Sequence, residues 1–176
     1  NGTEEKIEIL FDTNLKNSER PSEISFKDVD ENMRENYLIS EKYLEQTVEL
    51  VELTKKITEN GKNQIEKIEL IFNYIIANFK YCYPVEKRGV ENLDLYDLVG
   101  DCGEYSALFV TMCRVVGVPA RCVTGFVEFD GKFHEHAWAQ VYSSAGWLNV
   151  DPQYASLEEN IKTGKEKYLF TFPEFR

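Results

Sequence analysis

Apolar positions along this chain change period several times, and each change marks an element. Ile7, Ile9 and Phe11 alternate with polar neighbours, and Ile24 and Phe26 do so again beyond a polar stretch at 14–21; period two predicts two short strands. From Thr47 to Asn60 the spacing turns helical, with Val48, Val51 and Leu44 inward and Gly61 suited to the left-handed position that ends a helix. Ile65, Ile68, Phe72, Ile75, Ile76 and Phe79 form a second helical stripe, and Asn63 with Glu66 has capping-box spacing at its start. Residues 80–100 keep no steady period. Their Tyr81, Tyr83, Pro84 and Gly89 mark an extended segment and a loop, whose aromatics suit the wall of a groove.

Cys102 opens a largely apolar stretch through Ala107, Leu108, Val110, Met112, Cys113 and Val115 that stops at Gly117 and Pro119, which predicts a central, buried helix. Three strand-like runs follow at 120–129, 133–142 and 147–151, with Asp130 and Gly131 as a tight turn between the first two, so an antiparallel sheet is expected. In the tail, Tyr168, Phe170 and Phe172 alternate and predict one further strand.

Composition narrows what this pattern can be. A chain of 176 residues, 43% apolar and 13% aromatic, suits one folded domain. An isolated strand pair is marginal by itself, so 1–40 reads as an N-terminal extension, the remnant of a preceding β domain, and 41–176 as the domain proper. Twenty Lys and Arg against 31 Asp and Glu leave a net charge of −11, which repels phosphate backbones and argues against a nucleic-acid partner. No apolar run approaches the roughly 18 residues a membrane span requires. The chain opens on Asn1 rather than Met, which fits a trimmed or a processed secreted protein. Localisation stays open, with the balance toward an extracytoplasmic or cell-surface part of a larger protein. Nothing in the sequence speaks to oligomeric state.

Cys82, Cys102, Cys113 and Cys122 form neither a dense disulfide framework nor a C-x-x-C pair, so no cofactor or structural metal is expected. A reactive thiol is the remaining option. A sulfur in the first turn of a helix faces unpaired N–H groups and the positive end of the helix dipole, which favours the thiolate that attacks carbonyls. Such attack needs a base near neutral pH, and His134 and His136 are the two candidates. Both lie on one face of the predicted strand together with Trp138 and Gln140, so parity does not choose between them. If Tyr142 pairs with Trp147, Asp151 falls opposite Trp138 and diagonal to His136, about 7 to 8 Å away between backbones, within reach of an imidazole.

The run Gly100-Asp101-Cys102-Gly103-Glu104-Tyr105-Ser106-Ala107-Leu108, the run from Cys113 to Arg121, and Val123-Thr124-Gly125 resemble the cysteine block of the transglutaminase-like superfamily. His136 to Val141 and Trp147 to Pro152 resemble its histidine and aspartate blocks in the same order. The resemblance runs from about Thr47 to Pro152. It implies an α+β, papain-like core, with the helix that bears the nucleophilic cysteine packed on an antiparallel sheet. It implies Cys102 as nucleophile, His136 as base and acid, and Asp151 as the residue that fixes the imidazole. The backbone N–H of Cys102 is then an oxyanion donor; apart from the resemblance, Tyr83 and Trp138 are candidates for the wall of a substrate groove.

Bland readings compete at several positions. Cys113 and Cys122 read as small buried hydrophobes, His134 as a surface histidine, and Glu104 and Glu135 as solvated. Trp138 and Trp147 fill a sheet–helix interface unless Trp138 walls the groove. The expected reaction is attack on a peptide or glutamine-type amide through a thioester, by hydrolysis rather than crosslinking, on a protein or peptide substrate. The rivals are a protein-glutamine transamidase, a non-catalytic peptide-binding or adhesion module on the same fold, and a metal site of Cys102, His134 and His136.

Overall fold

Burial follows the helical stripes with one rotation. The computed structural model describes residues 30–129, 132–143 and 146–157. The expected strands near Ile7 and Ile24, the turn at Asp130 and Gly131, and the tail strand at 168–172 lie outside them. Three helices come first: α1 (Glu31–Tyr37), α2 (Val48–Ile57) and α3 (Gln64–Asn78).

On α2 the inward residues are Leu50 and Thr54, whereas Val48 is 70% exposed. Two positions from Leu50 is more than half a turn round a 3.6-residue helix, so the two cannot share the core face; Leu44 is buried but precedes the helix. Nor does Gly61 supply the expected left-handed stop. The cap is Thr58, whose hydroxyl donates to the Thr54 carbonyl at 2.8 Å. Gly61 instead permits a close approach, since a Cβ there would fall 2.7 Å from the Lys67 side chain. α3 obeys its stripe, burying Ile68, Ile71, Phe72, Ile75 and Ile76, with Phe79 just beyond its end. Asn63 caps it by accepting from the Glu66 N–H at 2.9 Å.

From α3 the chain enters β1 (Lys80–Tyr81), loops through a 3-10 turn at Val90–Asn92, and returns as β2 (Val99–Gly100). These two pair in parallel, Tyr81 beside Gly100. The ribbon delivers the chain to α4 (Cys102–Val115), capped by Asp101. Everything on α4 from Glu104 to Arg114 is buried, because α2 and α3 cover one side of it and the sheet the other. It ends in a Schellman motif: Gly117 takes φ +80°, and the N–H groups of Val118 and Gly117 donate to the carbonyls of Cys113 and Arg114 at 2.9 and 3.0 Å.

The sheet is β3 (Ala120–Phe129), β4 (Lys132–Ser143) and β5 (Gly146–Val150), antiparallel and in that spatial order. Tyr142 pairs with Trp147, the register expected from the sequence. Ala137, Ala139, Val141, Leu148 and Val150 form its buried side. A short α5 (Pro152–Ser156) follows β5, an element not among those expected from the sequence. Cys113 lies in the core as expected, but Cys122 is on the exposed side of β3.

Candidate active site

The start of α4 is built by its own sequence. Asp101 accepts from the Gly103 N–H at 2.8 Å, a capping geometry that leaves Cys102 as the first helical residue with its N–H unspent on the helix ladder. From the sheet comes His136, which is 8% exposed. Its Nε2 lies 2.7 Å from Asp151 Oδ2. The other oxygen of Asp151 accepts from the Tyr154 N–H at 3.0 Å, so one carboxylate both holds the imidazole and caps α5. Tyr154 in turn sets its ring edge-on to His136, centroids 5.5 Å apart.

Cys102, His136 and Asp151 are therefore brought together. Burial alone would lower the affinity of His136 for its proton. The hydrogen bonds to Asp151 and Cys102, and the negative charges of both, outweigh it and raise its pKa to about 9. Nε2 is committed to Asp151, which leaves Nδ1 as the nitrogen available to the sulfur. This pairing can take a proton from a thiol and hold it on the imidazole beside Asp151. His134, two residues earlier, lies on the exposed end of β4.

Trp138 stacks beside His136 at 6.2 Å and donates from Nε1 to Asn149 Oδ1 at 3.0 Å. Gly125 makes room for it: a Cβ there would meet the indole at 2.9 Å. Tyr83 is 70% exposed in the loop between β1 and β2. Trp147 packs against Tyr37 and Tyr142 at 4.9 and 5.0 Å, away from the histidine. Among the described residues no group of three or more His, Cys, Asp or Glu could hold a metal ion.

Glu104 is not solvated, contrary to expectation; it is 2% exposed. It shares Arg88 with Asp101, and the ion pair is what allows a carboxylate into the interior. Three participants escaped sequence reading: Arg88, Asn149 and Tyr154. For Tyr154 a signal existed, since Asp151-Pro152 has the form of an N-cap followed by proline at the first helical position. For Arg88 no local pattern existed.

The family model described as the transglutaminase-like superfamily matches residues 51–152. The chain belongs to the transglutaminase-like superfamily. Among its relatives, mouse kyphoscoliosis peptidase is 27% identical over 140 residues, which cover 72% of this chain and 21% of that protein. YebA of Bacillus subtilis, an uncharacterised protein, is 26% identical over 145 residues, covering 67% of this chain and 20% of that one. This superfamily member thus spans about a fifth of the length of those relatives. The fold is shared with the periplasmic domain of TgpA from Pseudomonas aeruginosa, with a TM-score of 0.61 at 23% identity over 81% of this chain and 54% of that one. A candidate cysteine protease from Cytophaga hutchinsonii has a TM-score of 0.62 at 23% identity, covering 71% of this chain and 43% of that one. Both bear out the α+β, papain-like core with its antiparallel sheet. Among the described residues, no helix is long and apolar enough to cross a membrane.

Proposed function

We propose that this chain is the catalytic core of a cysteine-nucleophile enzyme acting on peptide or glutamine-type amides, by hydrolysis rather than crosslinking. The observation that carries this reading is the Asp151–His136 pair at 2.7 Å with the second imidazole nitrogen left to Cys102. Cys102 attacks the amide carbonyl as thiolate, and the backbone N–H of Cys102 receives the developing negative charge. His136 passes its proton to the departing amine, leaving a thioester. The same imidazole then takes a proton from water as the water attacks, and the acid product leaves with the thiolate restored. Asp151 holds the ring in place throughout. Trp138, beside the imidazole, and Tyr83, exposed in the adjoining loop, line the substrate groove.

Hydrolysis is favoured over amine transfer by the names borne by relatives: a peptidase in the mouse, and in chicken a peptide-N(4)-(N-acetyl-beta-glucosaminyl)asparagine amidase, 29% identical over 82 residues that cover 46% of this chain and 12% of that one. Placement outside the cytoplasm is supported by the periplasmic setting of the TgpA domain.

A glutamine-bearing peptide library, assayed for ammonia or amine release and for incorporation of a labelled primary amine, tests this directly. Release without incorporation, abolished in Cys102→Ala, is the expected result. Turnover that survives in Cys102→Ala would reject the mechanism, and incorporation that matches release mole for mole would convert the assignment to a transamidase.

A further inference from the structure

Arg88 sits in the loop between β1 and β2, fourteen positions ahead of Cys102 in the chain. Its Nη1 donates to Asp101 Oδ1 and to Glu104 Oε2, each at 2.6 Å, and its Nη2 donates to Asp101 Oδ2 at 2.7 Å. The fork on Asp101 is bidentate, the geometry in which a guanidinium fixes position as well as charge. Both carboxylates are nearly sealed from water, with side chains 5% and 3% exposed. Asp101 immediately precedes Cys102 and Glu104 follows two residues later, so two acidic groups flank the thiol on its own helix.

Two glycines exist where this cluster needs space. A Cβ on Gly100 would fall 2.6 Å from the Glu104 Cβ, and one on Gly103 would fall 3.1 Å from both Arg88 Nη1 and Asp101 Oδ1. The glycines on either side of the Asp101-Cys102 pair thus admit the guanidinium and the buried carboxylate. Titratable groups that interact with the sulfur include Tyr81 from β1 and His136 from β4, with Asp151 behind the imidazole. Arg88 is the one permanent cation among these groups.

We propose that Arg88 is a positioning residue for the nucleophile: its fork to Asp101 and Glu104 fixes where the first turn of α4 presents the Cys102 sulfur, and offsets the carboxylate charge beside it. The same contact ties the groove loop that bears Tyr83 to the nucleophile. This inference rests on Cys102 being the nucleophile.

The test is the pH dependence of Cys102 alkylation by iodoacetamide, mapped by mass spectrometry in wild type, Arg88→Gln, Arg88→Lys and Asp101→Asn, with amide turnover measured alongside. Arg88→Gln removes the cation and should move the half-point of alkylation upward by about one pH unit. Asp101→Asn keeps the cap acceptor but removes a negative charge, and should move it downward. Arg88→Lys keeps the charge and loses the fork, so the half-point stays near wild type while kcat falls about ten-fold. Opposite displacements in the Gln and Asn variants are a signature that simple loosening of the fold does not produce. If circular dichroism shows Arg88→Gln unfolded, the other two variants decide: an Asp101→Asn half-point that fails to move down overturns the proposal. An unmoved half-point in folded Arg88→Gln, with Cys102 still reactive, overturns the role of Arg88 alone. Wild-type Cys102 reacting no faster than the exposed Cys82 would instead overturn the nucleophile assignment, and this inference with it.

Discussion

One oxygen of Asp151 accepts from His136 and the other caps α5, so its replacement should have two separable effects. Asp151→Ala loses both, and turnover should fall on the order of 100-fold while stability drops by about 1 kcal/mol for the missing cap. Asp151→Asn retains an acceptor for the Tyr154 N–H. Its melting temperature should therefore fall less than that of Asp151→Ala while turnover still falls, because an amide keeps the cap but carries no charge to hold the imidazolium. Thermal melts beside steady-state rates check both, and an Asp151→Ala enzyme with undiminished turnover would sink the assignment. The geometry at this residue was legible in the sequence to an unusual depth. Once Tyr142 is taken to face Trp147, strand parity alone carries Asp151 to the diagonal of His136. What alternation could not do was separate His136 from His134, since both point the same way. The separation is made by burial at one end of β4, which depends on how far α5 and the sheet extend over it. Glu104 was misread for a related reason: its environment is created by Arg88, distant in sequence, and no local pattern announces a buried ion pair.

At the scale of elements, helices and strands with a clean hydrophobic period were readable, and those whose ends depend on tertiary contacts were not. α4 is flagged at both ends by its own residues, Asp101 before it and Gly117 after it. α2 was rotated and overextended in the sequence reading because Val48, an apolar side chain, faces outward, and because Gly61 makes space for α3 rather than stopping a helix. The dependence of β3 and β4 on one another can be tested at Gly125, which pairs with His136 across the sheet. Gly125→Ala sets a methyl 2.9 Å from the indole of Trp138, and a ring packed this way moves only as a unit. The expected result is an altered tryptophan emission spectrum and a fall in kcat/KM with the fold intact; unchanged emission and rate would show that the indole has room to spare. Packing inside α4 should behave differently. Leu108 is fully buried, and Leu108→Ala should cost about 3 kcal/mol in denaturant titration while leaving turnover per folded molecule nearly unchanged.

The whole molecule carries an excess of eleven negative charges, yet its response to pH should be dominated by a few buried groups near Cys102. His136 has its pKa raised from 6.5 to about 9 in the folded state. A raised value means that the protonated form is preferred by the fold, so the stabilisation is complete below 6.5 and is lost as pH climbs through about 9. Asp101 has the opposite sign. Burial raises its pKa, but the hydrogen bonds from Arg88, Glu104 and the Gly103 N–H win and hold it below the ordinary carboxylate value, so its contribution is present above that value and lost on acidification. Burial, reinforced by Asp101, pushes Glu104 upward, so its ionisation works against the fold as pH rises. Stability should accordingly decline on both flanks. The alkaline decline can be assigned by comparing melting temperature against pH for wild type and His136→Gln. The difference between the two curves should be largest below pH 6.5 and close as pH approaches 9. Parallel curves throughout would remove the Asp151–His136–Cys102 pairing from the energetics of the fold. They would also remove the reason to expect the alkaline limb of turnover in the same range, because imidazolium loss is the one event that both measurements report.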